Sequence, residues 1–151
     1  MVYNMTTSTN KNYYEVPNIS IEKALEIIKH ALNISSDLNV RASISIVDRS
    51  MNLIAFAKAD DATPHSTQTS RKKANTAAST GKVTGWMPLD IVVTLPLGAD
   101  NKITNIGGGI PLIFEGKLVG GLGIAGGTVD QDTEIANGVI KAIGSDLPKD
   151  V

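Results

Sequence analysis

The sequence predicts an α+β domain, a central antiparallel sheet flanked by helices. Three observations carry this. Apolar segments 42–48 and 53–58 form one pair, and 110–114 and 118–125 form another, each joined by a turn short enough for a hairpin. A helix-patterned segment separates the pairs, and further helical segments precede and follow them. Hairpins with helices packed on them make an antiparallel layout, not the alternating pattern of a doubly wound nucleotide-binding fold.

The elements follow in order. Residues 1–17 are rich in Ser, Thr, Asn and Tyr, lack periodicity and end at Pro17, so a flexible tail is expected before a single domain at 18–151. Tyr13 and Tyr14 are the tail groups that a partner subunit could order. Ser20 reads as a helix N-cap, followed by Ile21, Ala24, Leu25, Ile28, Ala31 and Leu32 at the spacing of one helical face. In 42–48, Ala42, Ile44 and Ile46 alternate with Ser43, Ser45 and Val47. Residues 66–80 form a second helix whose Ala74, Ala77 and Ala78 let it lie close to a sheet, with Gly81 as its C-cap. Pro88 and Pro96 interrupt 82–102, where Trp86, Leu89, Ile91, Val92 and Val93 suggest one short helix between loops. Ile103 to Ile106 is expected to be a strand edge. Gly120, Gly121 and Gly123 fall inside the last strand, which suggests close approach of another backbone or of a ligand. Thr128 caps a final helix carrying Ile135, Val139, Ile140 and Ile143.

Composition narrows the function classes. The chain has 151 residues, enough for a core without staples. Its 14 basic and 15 acidic residues give a net charge of -1, and aromatics make up only 4%, so neither nucleic acid nor a membrane surface is an expected partner. The absence of cysteine excludes disulfides, thiolate metal sites and cysteine nucleophiles. The N-terminal stretch carries no secretory pattern, so a cytoplasmic location is expected.

Several residues could carry chemistry. Gly126-Gly127-Thr128 leads into a helix, and Thr128 with Gln131 makes a capping box. Backbone N–H groups there, with the positive end of the helix dipole, would suit a carboxylate or phosphate; the alternative is a turn that needs glycine only for geometry. Gly107-Gly108-Gly109 could be a second backbone cradle or a plain connection. Of Arg71, Lys72 and Lys73, three consecutive helical residues, one or two at most face inward. Lys73 shares the small-residue face of Ala77 and is the expected inward group, able to hold an acid; Arg71 is a further ligand-binding candidate. His65 sits in a polar loop just before that helix and could serve as general base or axial iron ligand. Asp48, ending a strand, could be a perturbed carboxylate or simply close the turn.

Ser45-Ile-Val-Asp48 with Leu53-Ile-Ala-Phe56, Arg71-Lys-Lys73-Ala74-Asn-Thr76-Ala77, and Gly107 to Leu112 followed by Gly116 to Gly127 and Gln131-Asp132 together resemble the GlcG/HbpS-like family. This haem-degrading or haem-binding domain family includes the C-terminal domain of PduO-type proteins. The resemblance covers about residues 20–145. It implies a profilin-like fold, homo-oligomers, and haem or tetrapyrrole binding in some members. Three readings of function stand open: a protein that binds haem or a related tetrapyrrole, and could also degrade haem, with Lys73 or the Gly126-Gly127 amides on the propionates and His65 near iron; a lyase or isomerase on a carboxylate or carbonyl substrate, using Lys73, His65, Asp48 and the glycine turn; and a non-catalytic oligomeric accessory protein.

Overall fold

The computed structural model describes residues 12–149. The expected tail lies mostly outside them; residues 12–19 carry no regular structure, and Ile19 N–H bonds the Val119 carbonyl at 2.9 Å. In chain order the elements are α1 (Ile21–Asp37), β1 (Ser43–Asp48), β2 (Leu53–Lys58), α2 (Ser66–Thr80), α3 (Thr94–Gly98), β3 (Gly109–Phe114), β4 (Lys117–Ala125) and α4 (Val129–Ile143). The four strands form one antiparallel sheet in the order β2-β1-β4-β3.

The helix ends follow local chemistry. Ser20 Oγ accepts the Lys23 N–H, and Gly81 and Gly144 end α2 and α4 in the left-handed conformation. At α4 the capping box is complete: Gln131 N–H donates to Thr128 Oγ1 at 3.2 Å, and Thr128 N–H donates to Gln131 Oε1 at 2.9 Å. Thr128→Ala is expected to lower stability by about 1 kcal/mol, the usual worth of such a cap, read as a lower urea midpoint at unchanged slope.

The two faces of the sheet differ. Ile44 and Ile46, Leu122 and Ile124, and Ile110 and Leu112 point to one side and form the main core with α1 and α4. The other side carries small residues: Ser43, Ser45 and Val47 of β1, Gly121 and Gly123 of β4, and Gly109 of β3. There α2 lies directly on the strands. A Cβ at Gly121 would strike the Ala74 carbonyl, and one at Gly123 the Ser70 carbonyl. The glycines therefore admit another backbone rather than a ligand. Buried hydroxyls are paired across this interface, Ser43 with Ser66 and Ser45 with Ser70, each at 2.7 Å.

Two expectations fail in the segment between α2 and β3. The short helix lies at Thr94–Gly98, later than the Trp86–Val93 cluster suggested, and contains Pro96. Pro96 falls in the first turn, where a missing N–H leaves no helical bond unmade. Ile103 to Ile106 is not a strand. Its backbone bonds an α2 side chain instead: Thr104 N–H donates to Thr76 Oγ1 at 2.9 Å, and just before it Asn75 Nδ2 donates to the Lys102 carbonyl at 2.9 Å. The outer edge of β3 is blunted by Thr84, whose hydroxyl accepts the Gly109 N–H, and by Ser145, whose hydroxyl accepts the Ile113 N–H.

Candidate functional site

The segment between α2 and β3 contributes no strand to the sheet but builds the wall of a cleft. Val92, Val93, Pro96, Leu97, Ile103 and Ile106 form that wall. The opposite sides come from Thr69 and Lys72 of α2 and from Val129 and Thr133 at the start of α4, with Gly107 between them. The cleft measures about 870 Å³, the size of a small-molecule or cofactor site. Lys72 is its only charged lining residue, and its ammonium has no ion pair or hydrogen bond among the described residues. The hydroxyls are mostly committed to nearby backbone: Thr69 donates to the His65 carbonyl at 3.1 Å and Thr133 to the Val129 carbonyl at 2.8 Å. Lys72 was missed by sequence reasoning, which chose its neighbour. Along a helix, adjacent residues point about 100° apart, so Lys73 meets the sheet where Lys72 meets the cleft.

Lys73 is 1% exposed and closes a buried cluster beneath the cleft. Its ammonium donates to the Ile124 carbonyl at 2.7 Å and to Asp132 Oδ2 at 2.8 Å. The other oxygen of Asp132 accepts the Gly127 N–H at 2.9 Å. Burial pushes the Lys73 ammonium below the usual lysine range, and the hydrogen bond and charge of Asp132 act the other way. Gly108 lies over this pair. A Cβ there would sit 3.0 Å from Lys73 Nζ and 2.9 Å from the Asp132 side chain, so glycine is what lets the chain pass between the pair and the cleft. Lys73 thus ties α2 to β4 and α4.

The remaining candidates are dispersed. At Gly126-Gly127 the amides serve the fold: Gly127 N–H is held by Asp132 and Thr128 N–H by Gln131. Gly126 has φ +142°, and a Cβ on it would strike the Arg41 carbonyl. The turn borders a separate, polar hollow of about 420 Å³ with Arg41 and Asp61, which pair at 3.0 Å. Gly109 is buried against the Lys73 backbone. Arg71 is half-buried, lies outside the cleft, and leaves its Nε without a partner among the described residues. His65 is exposed at the N-cap of α2, one turn before Thr69 on the same stripe, and its side chain is outside the lining. Asp48 closes the β1–β2 turn, accepting the N–H groups of Ser50 at 2.8 Å and Asn52 at 2.9 Å. It pairs with Gly120, four residues along β4 from Ile124, about 13 Å at strand spacing from the carbonyl that Lys73 holds. Lys73, His65 and Asp48 therefore do not converge on one reacting centre.

Sheet order, helices on both faces and the side cleft define a profilin-like α+β domain. The chain belongs to the HbpS-like family, whose model, described as haem degrading protein HbpS-like, matches residues 19–141. It is 31% identical over 127 residues to an uncharacterized 15.0 kDa protein of the dhaT-dhaS intergenic region of Citrobacter freundii, covering 81% of this chain and 89% of that one. Among solved structures it resembles protein ORFY of Klebsiella pneumoniae, with TM-score 0.81 and 27% identity over 91% of this chain and 98% of that one. It also resembles the PduOC:heme complex, with TM-score 0.80 and 30% identity over 87% of this chain and 99% of that one.

Proposed function

We propose that the chain binds haem or a related tetrapyrrole in the cleft between α2, residues 84–107 and α4. The observation that carries this is an apolar cleft of about 870 Å³ whose one charged lining group, Lys72, lacks a counterion among the described residues. Such a site suits a flat apolar body with an acid group at its margin. Membership of the HbpS-like family and likeness to a haem-bound structure support the same ligand class. The lining fits the ring and its acids; it contains no His, Met, Cys or Tyr that would ligate iron. Bound haem would supply a redox-active centre. The chain's own contribution is to bury part of the ring against Val92, Val93, Leu97, Ile103 and Ile106, and to set the Lys72 ammonium against a propionate.

Haemin titrated into the protein is expected to shift its Soret band, and Lys72→Glu is expected to weaken binding at least about tenfold, the effect of roughly 1.4 kcal/mol. Equal affinities in the two proteins would overturn this placement of the site. Haem degradation, the activity in the family's description, goes further than the binding role that these residues support. Self-association belongs to the same reading. Leu89, Val93 and Leu97 follow one another at four-residue spacing and are 93%, 65% and 68% exposed; Val93 and Leu97 also line the cleft. They offer the surface that a second copy would cover.

A further inference from the structure

We infer that the cleft recognises two acid groups on its ligand, the first through Lys72 and the second through the uncharged donors of Thr84 and Asn105. This rests on the tetrapyrrole reading above and deepens it, since that reading places one acid only, at Lys72.

The polar side chains of Thr84 and Asn105 spend their acceptors on the fold and keep their donors. Asn105 Oδ1 accepts the Met87 N–H at 2.8 Å. That bond fixes which amide atom is the oxygen, and it leaves Nδ2 with two N–H groups and no acceptor among the described residues. Nδ2 is not sealed in, as the unpaired Asn75 Oδ1 and Trp86 Nε1 are, and Asn105 lines the cleft. Thr84 is 7% exposed and also lines it. Its Oγ1 accepts the Gly109 N–H at 2.9 Å, and its hydroxyl proton has no acceptor among the described residues. Thr69 and Thr133 do the reverse and donate to backbone carbonyls of their own helix or its cap. The lining holds no Asp or Glu. A carboxylate accepts hydrogen bonds at both oxygens and brings no proton to place, so it satisfies such a wall where an ammonium group would not.

The two positions are separate. Thr76 stands one turn after Lys72 on α2, and its Oγ1 accepts the Thr104 N–H at 2.9 Å. Asn105 therefore follows a residue tied to α2 about 5.4 Å further along the helix axis than Lys72. Its backbone is held through Thr104 and its amide through Met87, so the donor is set before the ligand arrives. A ligand with two acid arms meets a cation at one of them and neutral donors at the other.

Asn105→Asp isolates the second position. The aspartate keeps an oxygen for the Met87 N–H and replaces the free amide by a second oxygen, which repels an ionised acid. Its urea midpoint is expected to match that of wild type. Haemin and haemin dimethyl ester, whose acids carry no charge, would be titrated into the full chain in the same cosolvent and followed by the Soret band. Asn105→Asp is expected to weaken haemin at least about tenfold and the ester less than about threefold. Lys72→Met is expected to weaken haemin as well, and the two losses should multiply in the double variant, as they do for groups that act independently. Haemin affinity in Asn105→Asp within about threefold of wild type would overturn the inference and leave the tetrapyrrole site standing. So would an equal loss for the ester, which marks a distorted wall. A double variant no weaker than Lys72→Met alone would put both residues on one acid, with the same consequence. Failure of wild type to bind haemin would overturn both readings together.

Discussion

Gly123→Ala is expected to leave little folded protein. The added methyl would meet the Ser70 carbonyl and lie 2.7 Å from the Ala74 N–H, both backbone atoms of α2. Neither can rotate away as a side chain would. Relief requires lifting α2 from the sheet, which breaks the Ser43–Ser66 and Ser45–Ser70 hydroxyl pairs and uncovers Val47, Ala74 and Ala78. The cost should exceed the ~1–3 kcal/mol of ordinary core overpacking. That is a large share of the about 5–15 kcal/mol that holds a domain of this kind. Gly98→Ala is the control: nothing lies within 4 Å of its added carbon, and stability should hold or rise slightly. Thermal unfolding followed by circular dichroism separates the two, and similar midpoints would refute the close-packing account.

Removing one partner of the buried pair should be nearly as severe. Asp132→Ala leaves the Lys73 ammonium enclosed with only the Ile124 carbonyl, and strips the Gly127 N–H of its acceptor. A loss of about 3–5 kcal/mol is expected, because an unpaired buried charge is left behind. Replacing both partners, Lys73→Met with Asp132→Leu, should recover at least half of that loss in urea unfolding. A double variant no better than Asp132→Ala would show that the pair is not the origin of the effect.

The pair also fixes the sign of an alkaline pH dependence. Lys73 has a folded pKa below its unfolded one, because burial disfavours the ammonium more than Asp132 restores it. Between the two values the unfolded chain holds more protons, so the stability contributed at this site rises with pH towards 10.5 and is lost as pH falls through the folded pKa. Against Lys73→Met, which has no such proton, the wild type should gain ground as pH rises from neutral. A constant difference would refute the shift.

Much of the fold was legible because it is written in local chemistry. The hairpins lie between apolar runs, Thr128 and Gln131 stand three residues apart, and glycines inside a strand ask for a neighbouring backbone. The cleft wall was not legible. Its apolar residues face a hollow instead of the core, so their spacing follows neither strand nor helix, and the strand expected at Ile103 to Ile106 is instead tied to α2 by Thr76 and Asn75. At the site, the small-residue face of α2 correctly turns Lys73 towards the sheet. What it cannot reveal is that this face is sealed. Asp132, which claims the ammonium, is 59 residues away in sequence. The open cation of the cleft is the residue before it on the helix, Lys72.

The contact between α2 and the glycines of β4 divides responsibility for the cleft unequally. Thr69 and Lys72 belong to a helix clamped backbone to backbone, so their positions are set by the same atoms that hold the sheet together. The facing wall, Val92 to Ile106, adds no strand and meets α2 through the Asn75 and Thr76 side chains, not through the glycines of that clamp. Divergence among chains of this architecture should therefore run through one interchangeable panel, set against a fixed post that carries the charge. Grafting the panel from one relative onto another would be the economical way to exchange ligand preference while keeping the fold.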